Sequence, residues 1–507
     1  MKIVLDYSPT SQVMLIRTSD HDLFTTIRDN FSEAVAGAAI AKRRGYRVAS
    51  KVSPITPTGR CEVGMYWEIK KFLIDNQIIV DLVLTPALKE ALKPHPDVKF
   101  DPDIKYTFEL YPYQTTAVKN AVKLGRGTIK LATGGGKTFI TASIIENYFR
   151  SLGSPKDFRC FVIVPDLGLV EQTYNELINS GITYSCSKWT GSHEVNKDTN
   201  VIVVNAGILQ AKRTIPQVLL PNTPINRDKR FICTSNTVEY EDDSWIHNID
   251  LLIVDECHKV KKGNEITKII NKIKTPHKYG LSGTMPEKMI DQWNILGRFG
   301  PIIYEKPSHE LRAEGYLTGV HVTILDLIYK GNIPQVLTDP YRNELTFIAN
   351  SPFRNNLISQ ICNKLDSNTL IMVNTIEHGE VLYEELSKLE GKQVFFVRGD
   401  MEVEERERIK QIMESCSNVI TVAISAIFAT GINIKNIHTI LFAAGGKSFV
   451  RTVQSIGRGL RKHSTKSQLN IIDIADGLKY GREHNIKRCI TYEAEKISYH
   501  CKEILER

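Results

Sequence analysis

The strongest constraint on the fold of this chain is an alternation that it runs through twice. From about Gly127, short runs of β-branched and other apolar residues alternate with longer amphipathic stretches, the pattern of parallel strands each followed by a covering helix. The runs are Thr128–Ala132, Arg159–Val164, Asn200–Val204, Ile249–Val254 and Lys278–Leu281. A stretch from about Pro301 to Ser351, rich in Pro, Gly and Asn, reads as irregular. The alternation then restarts at Thr369–Val373, Gln393–Val397, Val419–Ala423, Thr439–Ala443 and Asn470–Ile474. Residues 1–104 lack the pattern and end in a Pro- and Asp-rich segment, Lys93-Pro94-His95-Pro96-Asp97 followed by Asp101-Pro102-Asp103, which reads as a linker. The expected fold class is α/β, with two tandem parallel-sheet domains over 105–310 and 311–507. A small α+β N-terminal domain over 1–104 precedes them, and a helical tail is expected at the C-terminus.

A length of 507 residues, with 42% hydrophobic and 24% charged, is ample for three packed cores. No run approaches the ~18 apolar residues of a membrane span, and Asp6 interrupts the N-terminus too early for a signal peptide, so a cytoplasmic chain with no membrane partner is expected. Nine scattered cysteines without a CxxC pair suggest neither a disulfide framework nor a zinc site of the usual spacing. The net charge is +8, and it is local. From Lys447 onward there are 13 Lys/Arg against 7 Asp/Glu, and Lys42, Arg43, Arg44, Arg47, Lys51 and Arg60 form a second cluster with no acid between Ala34 and Cys61. A solvated face accounts for such a cluster as readily as an anionic partner does.

The run Ala132-Thr133-Gly134-Gly135-Gly136-Lys137-Thr138 follows an expected strand and opens an expected helix, the context of a phosphate-binding loop. Glycines let backbone N–H groups turn toward the phosphates of ATP, Lys137 adds a point charge, and the Thr138 hydroxyl can ligate Mg²⁺. Leu131 stands where the common GxxxxGK[ST] form has its first glycine. The partner motif, Asp255-Glu256-Cys257-His258, begins 118 residues after Lys137, at the carboxyl end of an apolar run. An acid at that end of a parallel strand faces the ligand crevice. Asp255 is placed to hold Mg²⁺, and Glu256 to orient or deprotonate an attacking water.

DECH beside a GGGKT loop resembles the second helicase superfamily, the DExH-type ATP-dependent nucleic-acid motors built from two RecA-like domains. The family's other motifs follow in order. Tyr111-Pro112-Tyr113-Gln114 is similar to the adenine-reading Q motif, which implies that Tyr111 and Gln114 contact the base. Val164-Pro165-Asp166 through Gln172 resembles motif Ia and Val204-Asn205-Ala206-Gly207 motif Ib, which implies strand contacts at Pro165, Gln172, Asn205 and Gly207. Leu281-Ser282-Gly283-Thr284 resembles motif III, and Ile371-Met372-Val373-Asn374 motif IV, with Asn374 toward nucleic acid. Ala429-Thr430-Gly431-Ile432-Asn433-Ile434 is similar to motif V, implying a strand contact at Thr430 and nucleotide contacts at Gly431 and Asn433. Gln454 through Arg461 matches motif VI. The resemblance implies that Arg458 and Arg461 act as fingers on the γ-phosphate, and that His258, Ser282, Thr284 and Gln454 couple ATP state to strand grip.

Lys278 through Thr284, Phe428 through Asn436 and Gln454 through His463 further resemble the UvsW-type phage recombination helicases, and Glu68-Ile69-Lys70-Lys71-Phe72 is faintly similar to that family's small DNA-binding domain. The resemblance implies a DNA helicase, using ATP and Mg²⁺, that unwinds or branch-migrates forked, junction, single-stranded or D-/R-loop nucleic acid, RNA–DNA hybrid included, in the cytoplasm of an infected host; the oligomeric state is left open, with a monomer favoured. Arg43, Arg44 and Arg47 are the candidate duplex contacts of its first domain. A duplex translocase, an RNA helicase and a non-hydrolysing scaffold are the alternatives, the last disfavoured by the intact Lys137, Asp255, Glu256, Arg458 and Arg461. The polar stretch from about Ala211 to Trp245 exceeds what a sheet crossover needs; a disordered loop is the favoured reading, with a strand-separating or branch-gripping insertion as the alternative.

Overall fold

Cys160–Val164, Val201–Asn205 and Leu251–Val254 are buried at every position, as strands covered by helices on both faces must be. The computed structural model describes all residues except 36, 46, 48, 192, 194, 212–242, 262, 332–337, 425–435, 444–467 and 507. The chain divides into two compact units, Met1–Lys130 with Gly136–Glu305, and Leu131–Gly135 with Lys306–Arg507.

The first unit opens with a four-stranded mixed sheet, β1 (Lys2–Ser8), β2 (Val13–Arg17), β5 (Arg60–Glu62) and β6 (Asp81–Leu84), in the order β5-β2-β1-β6. A two-stranded ribbon, β3 (Glu33–Ala34) and β4 (Lys51–Val52), and the helices α1 (His21–Asn30), α2 (Ala38–Arg43), α3 (Met65–Asp75) and α4 (Pro86–Leu92) accompany it. Its core gathers Ile3, Leu5, Met14, Ile27, Met65 and Ile69.

Seven strands follow: β7 (Gly127–Leu131), β8 (Cys160–Val164), β9 (Cys186–Trp189), β10 (Val201–Asn205), β11 (Leu251–Val254), β12 (Lys278–Ser282) and β13 (Ile302–Lys306), ordered β13-β7-β12-β11-β8-β10-β9. Between and beside them lie α5 (Pro112–Leu124), α6 (Lys137–Ser151), α7 (Leu167–Ile178), α8 (Ala206–Ala211), α9 (Glu265–Lys272) and α10 (Met289–Phe299). The bounds of α5 are legible in its residues. Gln114 closes a capping box with Tyr111, Pro112 takes the first turn, and Gly125 ends the helix at φ 76°. A Cβ at Gly125 would also fall 2.6 Å from Cα of Pro94, where the linker crosses.

The second unit carries a sheet of β14 (Gly319–Ile328), β15 (Thr369–Val373), β16 (Gln393–Val397), β17 (Val419–Ile424), β18 (Thr439–Phe442), β19 (Gln468–Asp476) and β20 (Tyr499–Leu505), ordered β16-β17-β15-β18-β19-β14-β20 and parallel throughout. Its helices are α11 (Ser308–Ala313), α12 (Pro340–Asn350), α13 (Pro352–Lys364), α14 (Ile376–Leu386), α15 (Val403–Ser415) and α16 (Lys479–Ala494). Asp339 and Ser351 cap α12 and α13, each ahead of a proline. Two parallel seven-stranded sheets in tandem, behind a small mixed sheet, are the expected fold class.

Two expectations are corrected. The stretch from Pro301 to Ser351 is not irregular, since it holds β13, α11, β14 and α12. β14 buries Val322, Ile324, Leu325 and Leu327 but leaves polar residues among them, so it lacks the continuous apolar run of a central strand. The C-terminal segment is not only helical, because α16 is followed by β20, an edge strand whose residues are largely exposed and polar. Among the described residues no helix is long and apolar enough to cross a membrane.

Candidate active site

The loop after β7 turns through two residues in the left-handed region, Gly134 at φ 85° and Gly136 at φ 81°, before α6 begins at Lys137. A side chain is excluded at Gly136 twice over, by that φ and because a Cβ there would lie 2.3 Å from Nε2 of Gln114. Gln114 is buried, and its Oε1 accepts from the Tyr111 N–H at 2.9 Å, so one residue both caps α5 and backs the glycine loop. Tyr111 is 46% exposed and stacks on Tyr113. Ahead of it, Tyr106, Phe108 and Phe139 form an aromatic row, with the Phe108 and Phe139 rings 4.1 Å apart. Thr133, Gly134 and Thr138 are half-buried and Gly135 is buried.

The carboxyl ends of β11 and β12 bring a second set of side chains to this helix start. Lys137 Nζ lies 3.3 Å from Glu256 Oε1, and His258 Nδ1 lies 3.1 Å from Glu256 Oε2 and 2.9 Å from the Ser282 hydroxyl. Ser282 donates to the Thr284 carbonyl at 2.7 Å. Five residues from the glycine loop, the acid motif and the segment after β12 thus form one polar chain. Burial raises the carboxyl of Asp255 to about 6, with the neighbouring Glu256 charge adding to it. Glu256 shifts the other way: burial opposes its charge, but the Lys137 ammonium and His258 outweigh burial and hold it well below the usual carboxylate range. The two carboxyls are driven apart, which is how adjacent acids acquire separate tasks.

This arrangement fits a nucleotide with a divalent cation. Asp255 is a half-buried carboxyl disfavoured as an anion until a cation arrives, and the Thr138 hydroxyl stands on the first turn of α6. Among the described residues no group of three His, Cys, Asp or Glu could hold a metal alone. Mg²⁺ needs no such cage, since it is commonly held by one or two protein oxygens with phosphates and water.

Farther along the sheet, three of the strand-contact candidates, Pro165, Asn205 and Gly207, are engaged with one another. Asn205 Nδ2 donates to the Pro165 carbonyl at 3.0 Å while its Oδ1 accepts from the Gly207 N–H at 2.8 Å, so Asn205 ties the loops after β8 and β10 together. Gln172 donates to Glu176 on its own helix. Asn374 is exposed just after β15, and Arg43, Arg44 and Arg47 are exposed on and after α2. Thr430, Gly431, Asn433, Gln454, Arg458 and Arg461 lie outside the described residues, as does most of the stretch from Ala211 to Trp245.

Two features were not anticipated. Lys259, directly after the acid motif, bridges Asp166 at 2.6 Å, joining the β11 and β8 ends. Its only trace in sequence is its place next to His258. A cleft of about 550 Å³ lies beside the aromatic row, lined by Phe100, Ile104, Tyr106, Phe108 and Leu110; neither Lys137, Asp255 nor Glu256 lines it.

Comparison with known proteins agrees with this geometry. Residues 107–287 match the family model of the type III restriction enzyme res subunit, and residues 354–463 that of the helicase conserved C-terminal domain. The chain is 26% identical over 409 residues to the ATP-dependent DNA helicase uvsW of Enterobacteria phage T4, covering 76% of each protein. It is 24% identical to putative helicase 22 of Sulfolobus islandicus filamentous virus, covering 81% of this chain and 69% of that one. In fold it is similar to a fragment of a putative HsdR subunit of a type I restriction enzyme from Vibrio vulnificus YJ016, with a TM-score of 0.55 at 18% identity, covering 79% of this chain and 69% of that one.

Proposed function

The chain belongs to the DExH-type helicases of the second superfamily, and from that premise we propose that it is an ATP-dependent DNA helicase that unwinds or branch-migrates forked and junction DNA. The observation that carries the chemistry is the contact of Lys137 with Glu256, extended through His258 to Ser282. Lys137 and the loop amides receive the β- and γ-phosphates, and Lys137 then leaves Glu256 for them. Glu256, held as an anion, orients a water on the γ-phosphorus. As the water oxygen bonds to phosphorus, the bond to the β-phosphate oxygen breaks, and the water proton passes to Glu256. Mg²⁺ held by Asp255 and Thr138 would supply neutralising charge to the phosphates.

His258 and Ser282 feel the change at Glu256 directly, which makes this chain the route from phosphate state to the segment after β12. Arg458 and Arg461 are proposed as the cations that stabilise developing charge, a role whose loss costs a factor of about 10³ or more. The branched-DNA preference is proposed from the sequence resemblance to the UvsW-type recombination helicases and from the exposed Arg43, Arg44 and Arg47.

The test combines two measurements. Lys137→Ala is expected to abolish ATP hydrolysis; retained hydrolysis would remove the phosphate-loop assignment. ATPase stimulation and strand displacement are then compared on single strands, blunt duplex, forks, four-way junctions and RNA–DNA hybrids. Preference for forks and junctions supports the proposal, whereas strong stimulation by blunt duplex without displacement points to a duplex translocase.

A further inference from the structure

At the amino ends of β7 and β12, opposite the phosphate loop, the N-terminal domain meets the first seven-stranded sheet around an excess of buried positive charge. Arg126 precedes β7, Lys278 opens β12 and Arg298 lies in the last turn of α10; each is under a tenth exposed. Among the described residues around them one carboxylate faces the three, Glu62 of the N-terminal domain, whose Oε1 is 3.1 Å from Arg298 Nη2.

Part of the excess is met by helix ends. Arg126 donates through Nη2 to the Arg298 carbonyl at 2.6 Å and through Nε to the Phe299 carbonyl at 3.4 Å, at the C-terminus of α10. Lys278 donates to the carbonyls of Ile273 at 2.7 Å and Ile270 at 3.2 Å, at the C-terminus of α9. A helix C-terminus carries roughly half a negative charge, so two ends and Glu62 still leave about one positive charge unmet. Lys274 at the rim adds another. Uncompensated buried charge is costly, and it registers here: burial, with Arg126 beside it, pushes the Lys278 ammonium down to about 7.

The cations surround open space. A cavity of about 30 Å³ lies between them, lined also by Tyr7 of β1 and Glu62. At about 10–15 Å³ per water on this measure, it holds roughly two waters or one small tetrahedral anion. The hydrogen bonds of Arg126 use Nε and Nη2, leaving Nη1 for an occupant.

We infer that this cavity binds a tetrahedral oxyanion of the phosphate class, held by Arg126, Lys278 and the Tyr7 hydroxyl, and that its occupancy fixes the N-terminal domain against α9 and α10. The site is separate from the nucleotide site because it lies at the amino ends of the strands, whereas Lys137 and Glu256 lie at the carboxyl ends.

The test is equilibrium dialysis of inorganic phosphate against the full chain at constant ionic strength, with Mg²⁺ and a non-hydrolysable ATP analogue filling the glycine loop. One phosphate per chain is expected to bind beyond the nucleotide. Arg126→Gln should weaken it about tenfold or more, as loss of a charge-assisted donor does. Glu62→Gln should tighten it, because the competing carboxylate is gone. That variant keeps the test decisive even where Arg126→Gln fails to fold, since a purely structural ion pair would not strengthen phosphate binding when broken. Absence of an additional phosphate, or an affinity indifferent to Glu62, overturns the inference. Adding duplex DNA identifies the source: displacement of phosphate assigns the site to backbone phosphates and unchanged stoichiometry to the free anion, and both outcomes support oxyanion binding.

Discussion

Glu256 occupies the left-handed region at φ 48°, where a non-glycine residue carries a cost of about 1–3 kcal/mol. In that conformation the Glu256 carboxylate lies between Lys137 and His258, while the neighbouring Asp255 Oδ1 accepts from the Glu256 N–H at 2.9 Å. Glu256→Gln, which preserves shape, is expected to lower turnover about 10²-fold or more with nucleotide binding retained, as steady-state ATPase and nucleotide titration will show. Ser282→Ala removes the hydroxyl that contacts His258 and carries the proposed coupling. It should spare much of the DNA-stimulated ATPase and depress strand displacement, measured on the same fork; equal loss of both would place Ser282 in hydrolysis instead. That Lys137, Glu256 and His258 would come together was legible in sequence, because the order of strand, loop and helix start brings the glycine loop and the acid motif to one end of the sheet. The bridge from Lys259 to Asp166 was not, since nothing local joins residues that far apart. The bond from Asn205 to the Pro165 carbonyl was likewise hidden, because it follows from β8 and β10 lying side by side, whereas its bond with the Gly207 N–H is local.

Among the elements, α10 has a double allegiance. It packs on β12 within the ATP-site half of the unit, yet its Ile290 and Trp293 belong to the core of the N-terminal domain, where Trp293 meets Phe31 edge-on at 5.4 Å. Gly64 N–H donates to the Gly297 carbonyl at 2.7 Å, and a Cβ at Gly64 would sit 2.1 Å from the Leu296 carbonyl oxygen, so α3 and α10 touch through backbone. Trp293→Ala should destabilise the first unit by about 3–5 kcal/mol, read from chemical denaturation. Intrinsic fluorescence of the remaining tryptophans then reports whether the N-terminal domain loosens first. Central strands such as β8, β10 and β11 were plain in sequence because both faces are covered and every residue but Asn205 at the end of β10 is apolar. Edge strands such as β9, β13 and β20 were not, because half-exposed strands keep polar residues and share their composition with loops.

Across the whole molecule, two buried histidines among the described residues, His277 in the first unit and His378 in the second, are held neutral. Burial, offset only in part by its bond to the Gly125 carbonyl, lowers His277 to about 4 in the first unit. Burial and then the Arg354 guanidinium lower His378 to about 3 in the second. An unfolded histidine takes up its proton near 6.5, so the unfolded chain binds more protons than the folded one below that pH. The stability these residues contribute is therefore fully present above about 6.5 and declines as pH falls toward 4 and 3. Thermal unfolding followed from pH 7 to 5 should show that decline, and His277→Gln together with His378→Gln should flatten it; an unchanged slope would assign acid sensitivity to other groups. The tandem sheets were legible at this scale because the alternation restarts. The docking of residues 1–92 onto a helix near residue 290 was not, since it depends on which face α10 presents. That dependence also sets an order of events during synthesis. The first hundred residues leave the ribosome without the two side chains that complete their core, and about 200 more must be translated before Ile290 and Trp293 emerge. At about 5–20 residues per second the nascent domain waits roughly 10–40 s with its apolar face uncovered, and that interval is when it most needs a chaperone.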